Sequence, residues 1–559
     1  MDRRSTRASL PRRNGSGFFV GAVAAAFATP LSAQVTLRES LGPADDSRHG
    51  GELAVLPDLD GDGIAELLVA APVAGSSSRA AQGHVDLLSG ATGALLRFHD
   101  GAAGDFLGAS MAVSGDLDGD GVAGYLLSAY RRASGAKLNA GAVDAISGAT
   151  GALIWSAAGT TAGDEFGYEI AALDDLDGDG LRETGVLDQA RHAFVIDGRG
   201  ALKWSLNLGN IVAPLSIAQL HDLDGDGIGD LGVGDPFHSG ALGNDGQVQL
   251  FSGASGASLG AFAGAAADDS IGLRLLALPD VNGDLVPDFA VSGRAFFSAK
   301  VTAGMVQARS GADGSVLWSR QGAKGEYFGA QMARCGDFTG DGFPDLCAAA
   351  FAGGADGVGS VRMMDGRDGR KRHEIEGVDD PLLVNEAGFG LAVASGDWNG
   401  DGIGDLAIGI PDRVDHVTGD RKGAARLALS CPSAAAVYGS GFAGTLGVPT
   451  LALTGEPALG ATVTLTADNS VGATTNGLLL LGFAATSVVL RSGATLLVDQ
   501  PLQLPITLPA AGFVDADTLP DDPALCFLEL FLQVVQIDAG AVGGLSFTQG
   551  LELRVGYDL

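Results

Sequence analysis

At 559 residues the chain is too long for one ordinary domain, so two or three folded units are expected. Hydrophobic residues make up 46% and charged residues 18%, a globular composition that excludes a disordered chain. A net charge of −33, from 67 acidic against 34 basic residues, opposes phosphate backbones and anionic lipid, excludes nucleic acid as a partner, and calls for counter-cations.

The N-terminus reads as an export signal over residues 1–33. Arg3, Arg4, Arg7, Arg12 and Arg13 form a basic segment, Phe18 to Ala28 a short apolar one, and small residues lead to a cleavage site after Ala33. Arg12-Arg13 raises a twin-arginine route, although the residues after the pair fit it poorly. No later segment reaches the ~20 apolar residues a bilayer needs. The best candidate, Leu478 to Leu490, is interrupted by Gly482 and Thr486-Ser487 and reads as a buried strand pair.

From Asp58 onward an acidic nonapeptide occurs seven times, starting at residues 58, 116, 175, 222, 280, 337 and 397. A short apolar run precedes each copy and a second one follows, so each copy is a loop between two strands. A third strand follows as Gly-x-Val-x-x-x-Ser-Gly (GHVDLLSG from Gly83, GAVDAISG from Gly141), and a fourth after a Thr-Gly or Asp-Gly turn (GALLRF from Gly93, GSVLWS from Gly314). Four strands per unit of about 58 residues make one propeller blade. The abundance of Gly (88 residues) suits this all-β design of short strands and tight turns. The third unit is shortened between Val186 and His192.

The last unit stops at its third strand, Ala425 to Leu429, while Val35-Thr36-Leu37-Arg38 stands ahead of the first loop where a fourth strand belongs. The first residues of the mature chain are therefore expected to complete the last blade. That closes a seven-bladed ring over residues 34–430 and removes two sheet edges.

Each loop sets oxygens at positions one, three, five and nine on a backbone made pliable by Gly, which is what a hard divalent cation requires. The candidate Ca²⁺ ligands run from Asp58, Asp60, Asp62 and Glu66 in the first loop to Asp116, Asp118 and Asp120 in the second. The third loop supplies Asp175, Asp177, Asp179 and Glu183, and the fourth Asp222, Asp224, Asp226 and Asp230. Asp280, Asn282, Asp284 and Asp288 form the fifth set, and Asp337, Thr339, Asp341 and Asp345 the sixth. The seventh is Asp397, Asn399, Asp401 and Asp405, giving up to seven sites. The second loop lacks its ninth-position ligand, having Gly124, and the fifth has Leu285 in place of Gly, so these two are expected to bind most weakly. An EF-hand is excluded by spacing, because position twelve is Val69 in the first copy and Val233 in the fourth.

With Phe166-Gly167, Phe328-Gly329 and Phe389-Gly390 before the loops, and Ala70-Ala71-Pro72, Gly234-Asp235-Pro236 and Gly409-Ile410-Pro411 after them, residues 35 to 430 resemble the FG-GAP repeats of integrin α-subunit propellers and their bacterial relatives. The resemblance implies a seven-bladed propeller with Ca²⁺ loops on one face and a role in adhesion or ligand binding. No integrin-like leg domains follow, so cell-surface signalling does not carry over.

Trp155, Trp204 and Trp318 recur at one position of the fourth strand, which points to packing between blades. The histidines show no zinc-type spacing. Four cysteines permit disulfides; Cys335 and Cys347 bracket one turn on adjacent strands and can pair, leaving Cys431 and Cys526 for each other, but spacing alone leaves the connectivity open. Residues 431–559 lack the acidic loops, alternate in hydropathy and read as a small β-sandwich: an adhesive module, a carbohydrate-binding module or a sorting tag. The whole describes a secreted, non-catalytic binding or scaffold protein whose partner is an extracellular protein or carbohydrate. The alternative is an extracellular polysaccharide hydrolase or lyase with structural calcium.

Overall fold

Each acidic nonapeptide lies between the first two strands of a four-stranded antiparallel sheet, and seven such sheets form among the described residues. The computed structural model describes residues 39–556 except 43–47, 75–80, 210, 241, 294–302, 340, 355–356, 378, 381–383, 400–403, 416–420, 429–432, 459 and 521–527. The export signal and the stretch Val35 to Arg38 lie outside the described residues.

Blade 1 shows the pattern: Glu52–Leu56, Glu66–Ala71, His84–Leu88 and Leu95–Asp100, paired in that order. Its second strand, ELLVAA, is buried on both faces, as its unbroken apolar run requires. Its fourth strand alternates exposed and half-buried residues and forms the outer edge. The first strand of each blade touches the first strand of the next, from Glu52–Leu56 through Met111–Gly115, Glu169–Ala172, Ser216–Gln219, Leu275–Ala277, Phe328–Arg334 and Ala392–Gly396 back to Glu52–Leu56. The seven blades therefore form a closed ring, a β-propeller.

The ring closes as the unfinished last repeat demands. Blade 7 consists of Ala392–Gly396, Asp405–Ile410 and Ala424–Ala428, and its fourth strand comes from the N-terminal segment. Its described part is Glu39–Leu41, paired antiparallel with Ala424 to Arg426 and following directly on the stretch expected from sequence.

The two repeated Gly motifs have one steric cause. The backbone of Phe166 bridges to Gly141, and that of Phe328 to Gly304, in the preceding blade. A Cβ on Gly141 would stand 2.1 Å from the Phe166 carbonyl oxygen, and one on Gly304 equally close to that of Phe328. Gly-x-Val at the third strand is thus the floor on which the next blade's Phe-Gly rests.

Tryptophans join the outer strands to the following blade. Trp155 Nε1 donates to the Gly198 carbonyl at 2.9 Å, and Trp318 Nε1 to that of Gly366 at 3.2 Å. Both bonds cross from one blade to the next, which is the packing role expected from their recurrence. Cys335 and Cys347, at the two ends of the sixth loop, form a disulfide with Cα atoms 6.3 Å apart. Cys431 and Cys526 lie outside the described residues.

The contacts divide the chain into residues 37–430 and a second unit containing 431–559. In the second unit a sheet built on Ala434–Tyr438, Gly550–Val555, Leu528–Ile537, Thr475–Gly482 and Leu502–Leu508 shares a core with the three-stranded sheet Leu451–Thr454, Thr462–Ala467 and Phe513–Thr518. Val463 and Leu465 from one sheet meet Leu479, Leu532 and Leu553 from the other, a sandwich arrangement. The segment 478–490 corrects the expectation of a buried pair. Thr475–Gly482 is the buried central strand, whereas Ala485–Val489 is largely exposed, because Gly482 ends one strand and the next, among the described residues, pairs only with Thr495–Val498. No helix among the described residues is long and apolar enough to cross a membrane.

Candidate metal centres

In the first loop Asp58 acts as the pivot. Its Oδ1 accepts the N–H groups of Gly61 at 2.7 Å and Asp62 at 3.2 Å, and its Oδ2 that of Gly63 at 2.8 Å. These donors, Gly63 first, hold its carboxyl below the usual range. Asp60 Oδ1 accepts from Asp62 N–H at 3.2 Å and Asp62 Oδ1 from Ile64 N–H at 2.9 Å. Glu66, at the head of the buried second strand, is fully buried and its Oε2 accepts from Leu59 N–H at 2.7 Å.

Among the described residues three oxygens are then left without a protein donor: Asp60 Oδ2, Asp62 Oδ2 and Glu66 Oε1. The last is buried with no hydrogen-bond partner at all. Oxygens of Asp58, Asp60, Asp62 and Glu66 lie within 4.8 Å of one another. Burial, followed by the charges of Asp60, Asp58 and Asp62, pushes the Glu66 carboxyl up to about 7 against the pull of the Leu59 N–H. A buried acceptor among like charges is costly unless a cation satisfies it, so this donor set fits a hard divalent ion.

Three further clusters are equally tight, with ligand oxygens within 4.8 Å: Asp116, Asp118 and Asp120; Asp175, Asp177 and Glu183; and Asp222, Asp224 and Asp230. The second loop thus gathers its three carboxylates despite Gly124. In the fourth, Asp230 accepts from Leu223 N–H at 2.7 Å and Gly253 N–H at 3.1 Å, while Asp226 Oδ1 accepts from Ile228 N–H at 2.8 Å.

The remaining loops keep the turn and tie up more of its oxygens. In the fifth, Asn282 Nδ2 donates to Asp284 Oδ2 at 2.9 Å, and Asp288 accepts from Val281 and Gly311 N–H groups at 2.8 and 3.1 Å. Leu285 takes φ 71° where Gly63 has 87°, a strained choice for a branched side chain. In the sixth, Asp345 accepts from Phe338 at 2.9 Å and Gly366 at 2.9 Å, Asp337 from Gly342 at 2.8 Å and Asp341 from Phe343 at 2.9 Å, with Thr339 alongside. In the seventh, Asp405 accepts from Trp398 N–H at 2.7 Å and from Asn399 Nδ2 at 3.3 Å. Asp397 is described; Asp401 lies outside the described residues.

Two residues in the third loop escape the repeat motif. Lys203 Nζ lies 2.9 Å from Asp177 Oδ2 and 3.4 Å from Glu183 Oε1, and Arg199 pairs with Asp179 Oδ2. Lys203 belongs to the fourth strand of blade 3, Leu202–Asn207, and Arg199 to the turn that precedes it, twenty or more residues downstream of the carboxylates they meet. The signal was a cation at a fourth-strand position that is Leu96, Ile154, Leu259 and Leu317 in blades 1, 2, 4 and 5.

A cavity of about 310 Å³ opens between the outer parts of blades 2 and 3, lined by Asp164, Phe166, Asp188 and Phe194 among others. Its buried Asp188 is already engaged, accepting from the backbone of His192 at 2.7 Å and from His192 Nδ1 at 2.8 Å.

Residues 49–95, which cover the first three strands of blade 1 and reach the start of its fourth, match the model of the FG-GAP repeat. No curated protein matches the chain. Among solved structures, two crystal structures of BBS1N in complex with ARL6DN are similar to it, one soaked with mercury and one with lead. Both show 12% identity and a TM-score of 0.44; the first match covers 71% of this chain and 97% of that chain, the second 70% and 96%. Blade 1 therefore carries an FG-GAP repeat, and its strand and loop frame recurs in the other six blades.

Proposed function

We propose that the protein is an exported, calcium-binding β-propeller that works without catalysis, presenting its blade loops or its C-terminal unit to an extracellular protein or carbohydrate. The observation that carries the calcium part is Glu66 Oε1, buried and without a donor among three other carboxylates. Ca²⁺ takes six to eight oxygens at about 2.3–2.6 Å and tolerates irregular geometry. Asp58, Asp60, Asp62 and Glu66 would hold it in the first loop, with equivalent sets in the second and fourth. The ion would neutralise the local charge and lock the turn between the first two strands. The Cys335–Cys347 disulfide supports an oxidising compartment, in keeping with the N-terminal export signal.

Calorimetric titration of the metal-stripped chain with Ca²⁺ tests the first part. Saturable binding that weakens by one site in Glu66→Gln is the expected result, and an absence of saturable binding would end the proposal. Retention of glycans or extracellular proteins on the immobilised chain, with Ca²⁺ and then with chelator, tests the second. Turnover of a polysaccharide in that assay would replace the scaffold reading with an enzymatic one.

A further inference from the structure

The first and third loops have the same four acidic positions and the same internal turn. Asp175, like Asp58, accepts three backbone donors: Gly178 at 2.7 Å, Asp179 at 3.1 Å and Gly180 at 2.8 Å. Asp179 Oδ1 accepts from Leu181 N–H at 2.9 Å and Glu183 Oε2 from Leu176 N–H at 2.6 Å, as Asp62 and Glu66 do with Ile64 and Leu59. The difference lies in the three oxygens that remain. In the first loop they are Asp60 Oδ2, Asp62 Oδ2 and Glu66 Oε1, none with a donor among the described residues. In the third loop the corresponding atoms are Asp177 Oδ2, Asp179 Oδ2 and Glu183 Oε1, and every one is met by a cationic side chain: Lys203 on the first and last, Arg199 on the middle one.

We propose that the third loop is a cation site already filled by the chain itself, with Lys203 and Arg199 standing where calcium stands in the first loop, so that this loop takes no metal. The inference rests on reading the first loop as a calcium site.

Charge and position both favour it. The two side chains bring the two positive charges of one divalent ion to the same three oxygens. Lys203 is tethered by its strand, whose Lys203 neighbours Leu202 and Trp204 pair with Ile196 and Val195, so its ammonium competes as an intramolecular ligand. Only 18% of its side chain is exposed, and Glu183 beneath it is fully buried, which strengthens the pairing over that of a surface ion pair. The positions equivalent to Arg199 are Thr92, Thr150, Ser255 and Asp313 in blades 1, 2, 4 and 5, none of them cationic. In blade 6 the residue equivalent to Lys203 is Arg372, which turns instead to Asp365 at 2.6 Å, outside the nonapeptide. Among the six blades whose fourth-strand turn is described, the built-in cation is therefore found in blade 3 alone, which is also the shortened repeat.

The test is the Ca²⁺ stoichiometry of the full chain after metal removal, compared with that of Asp60→Ala, Asp177→Ala and Lys203→Met. Asp60 and Asp177 are exposed, and both of these variants are expected to fold. The expected pattern is one site lost in Asp60→Ala, none lost in Asp177→Ala and one gained in Lys203→Met. Loss of one site in both alanine variants would show metal in the third loop and overturn this inference while leaving the calcium reading intact. An unchanged count in a folded Lys203→Met would also overturn it. If the unmodified chain binds no Ca²⁺ saturably, the calcium reading fails and this inference falls with it. Should Lys203→Met not fold, the two alanine variants decide the matter alone.

Discussion

The Oγ of Ser40 lies 2.9 Å from Nε2 of His49, tying the strand that closes the ring to the start of blade 1. His49 is fully buried, and its Nδ1 has no hydrogen-bond partner, standing 3.8 Å from Asp86 Oδ2. Burial holds this imidazole down to about 4, with Asp86 opposing and His84 adding to the shift. His84 is pushed the other way, to about 9, by its hydrogen bonds to Asp86 at 2.9 Å and Asp100 at 2.7 Å.

The two histidines act on opposite sides of neutrality. The folded state prefers neutral His49, so its contribution is complete above its ordinary pKa of 6.5 and is lost as the pH falls toward 4. The folded state prefers charged His84, so its contribution is complete below 6.5 and is lost as the pH rises through 9. The shift at His49 corresponds to about 3 kcal/mol. Denaturant unfolding at a series of pH values should show His49→Gln flattening the loss between 6.5 and 4 without altering the alkaline limb. An acid limb that is unchanged in this variant would refute the assignment.

Gly304 and Gly163 separate backbone strain from close approach. Both have positive φ, but a Cβ on Gly163 meets nothing within 4 Å, whereas one on Gly304 meets Phe328 backbone atoms at 2.1 and 2.2 Å. Gly163→Ala should cost about 1 kcal/mol from conformation alone. Gly304→Ala should cost more than about 4 kcal/mol or prevent folding, because two blades must part. Equal costs in urea unfolding would mean that the Gly-x-Val motif serves the turn and not the seam.

The Cys335–Cys347 bridge closes a loop of sequence separation 12 around the sixth nonapeptide. Replacing both cysteines by alanine should lower stability by roughly 2–3 kcal/mol on the loop-entropy scale. The loss should be greater without calcium if the ion and the bridge restrain the same segment. Identical losses with Ca²⁺ and with chelator would show that the sixth loop holds no ion.

Transplanting the built-in cation supplies the reverse of the blade 3 experiment. Leu96 occupies in blade 1 the fourth-strand position of Lys203. Leu96→Lys should place an ammonium within reach of Asp60 and Glu66 and remove one calcium site, seen as a stoichiometry lower by one. Undiminished binding would mean that fourth-strand position alone does not direct a lysine into the loop.

Much of the propeller was legible because it is written seven times. The nonapeptide marks the turn between first and second strands, the Gly-x-Val motif the third, and the unfinished last repeat required a donor strand from the N-terminus. Of that donor segment Glu39–Leu41 is described, paired with the Ala424 to Arg426 edge, while Val35 to Arg38 lies outside the described residues. The acidic positions of the loops were equally plain. What sequence could not show was that Lys203 and Arg199 reach back across a sheet to carboxylates about twenty positions earlier, a relation set by strand pairing. Nor could it show that Ala485–Val489 would be exposed, since a short apolar strand reads alike whether it lies in a core or on a rim.

Thermal unfolding of the full chain with excess Ca²⁺ and then with chelator, alongside Glu66→Gln, addresses the central claim most directly. An ion that binds only the folded state raises its stability by RT ln(1 + [L]/Kd), about 2.7 kcal/mol at a hundredfold excess over Kd. The expected result is a melting temperature that falls sharply on chelation in the unmodified chain and falls less in Glu66→Gln, whose first loop has lost its buried anionic ligand. Superimposable melts with and without Ca²⁺ would contradict the account, leaving the propeller standing and its acidic loops as turns alone.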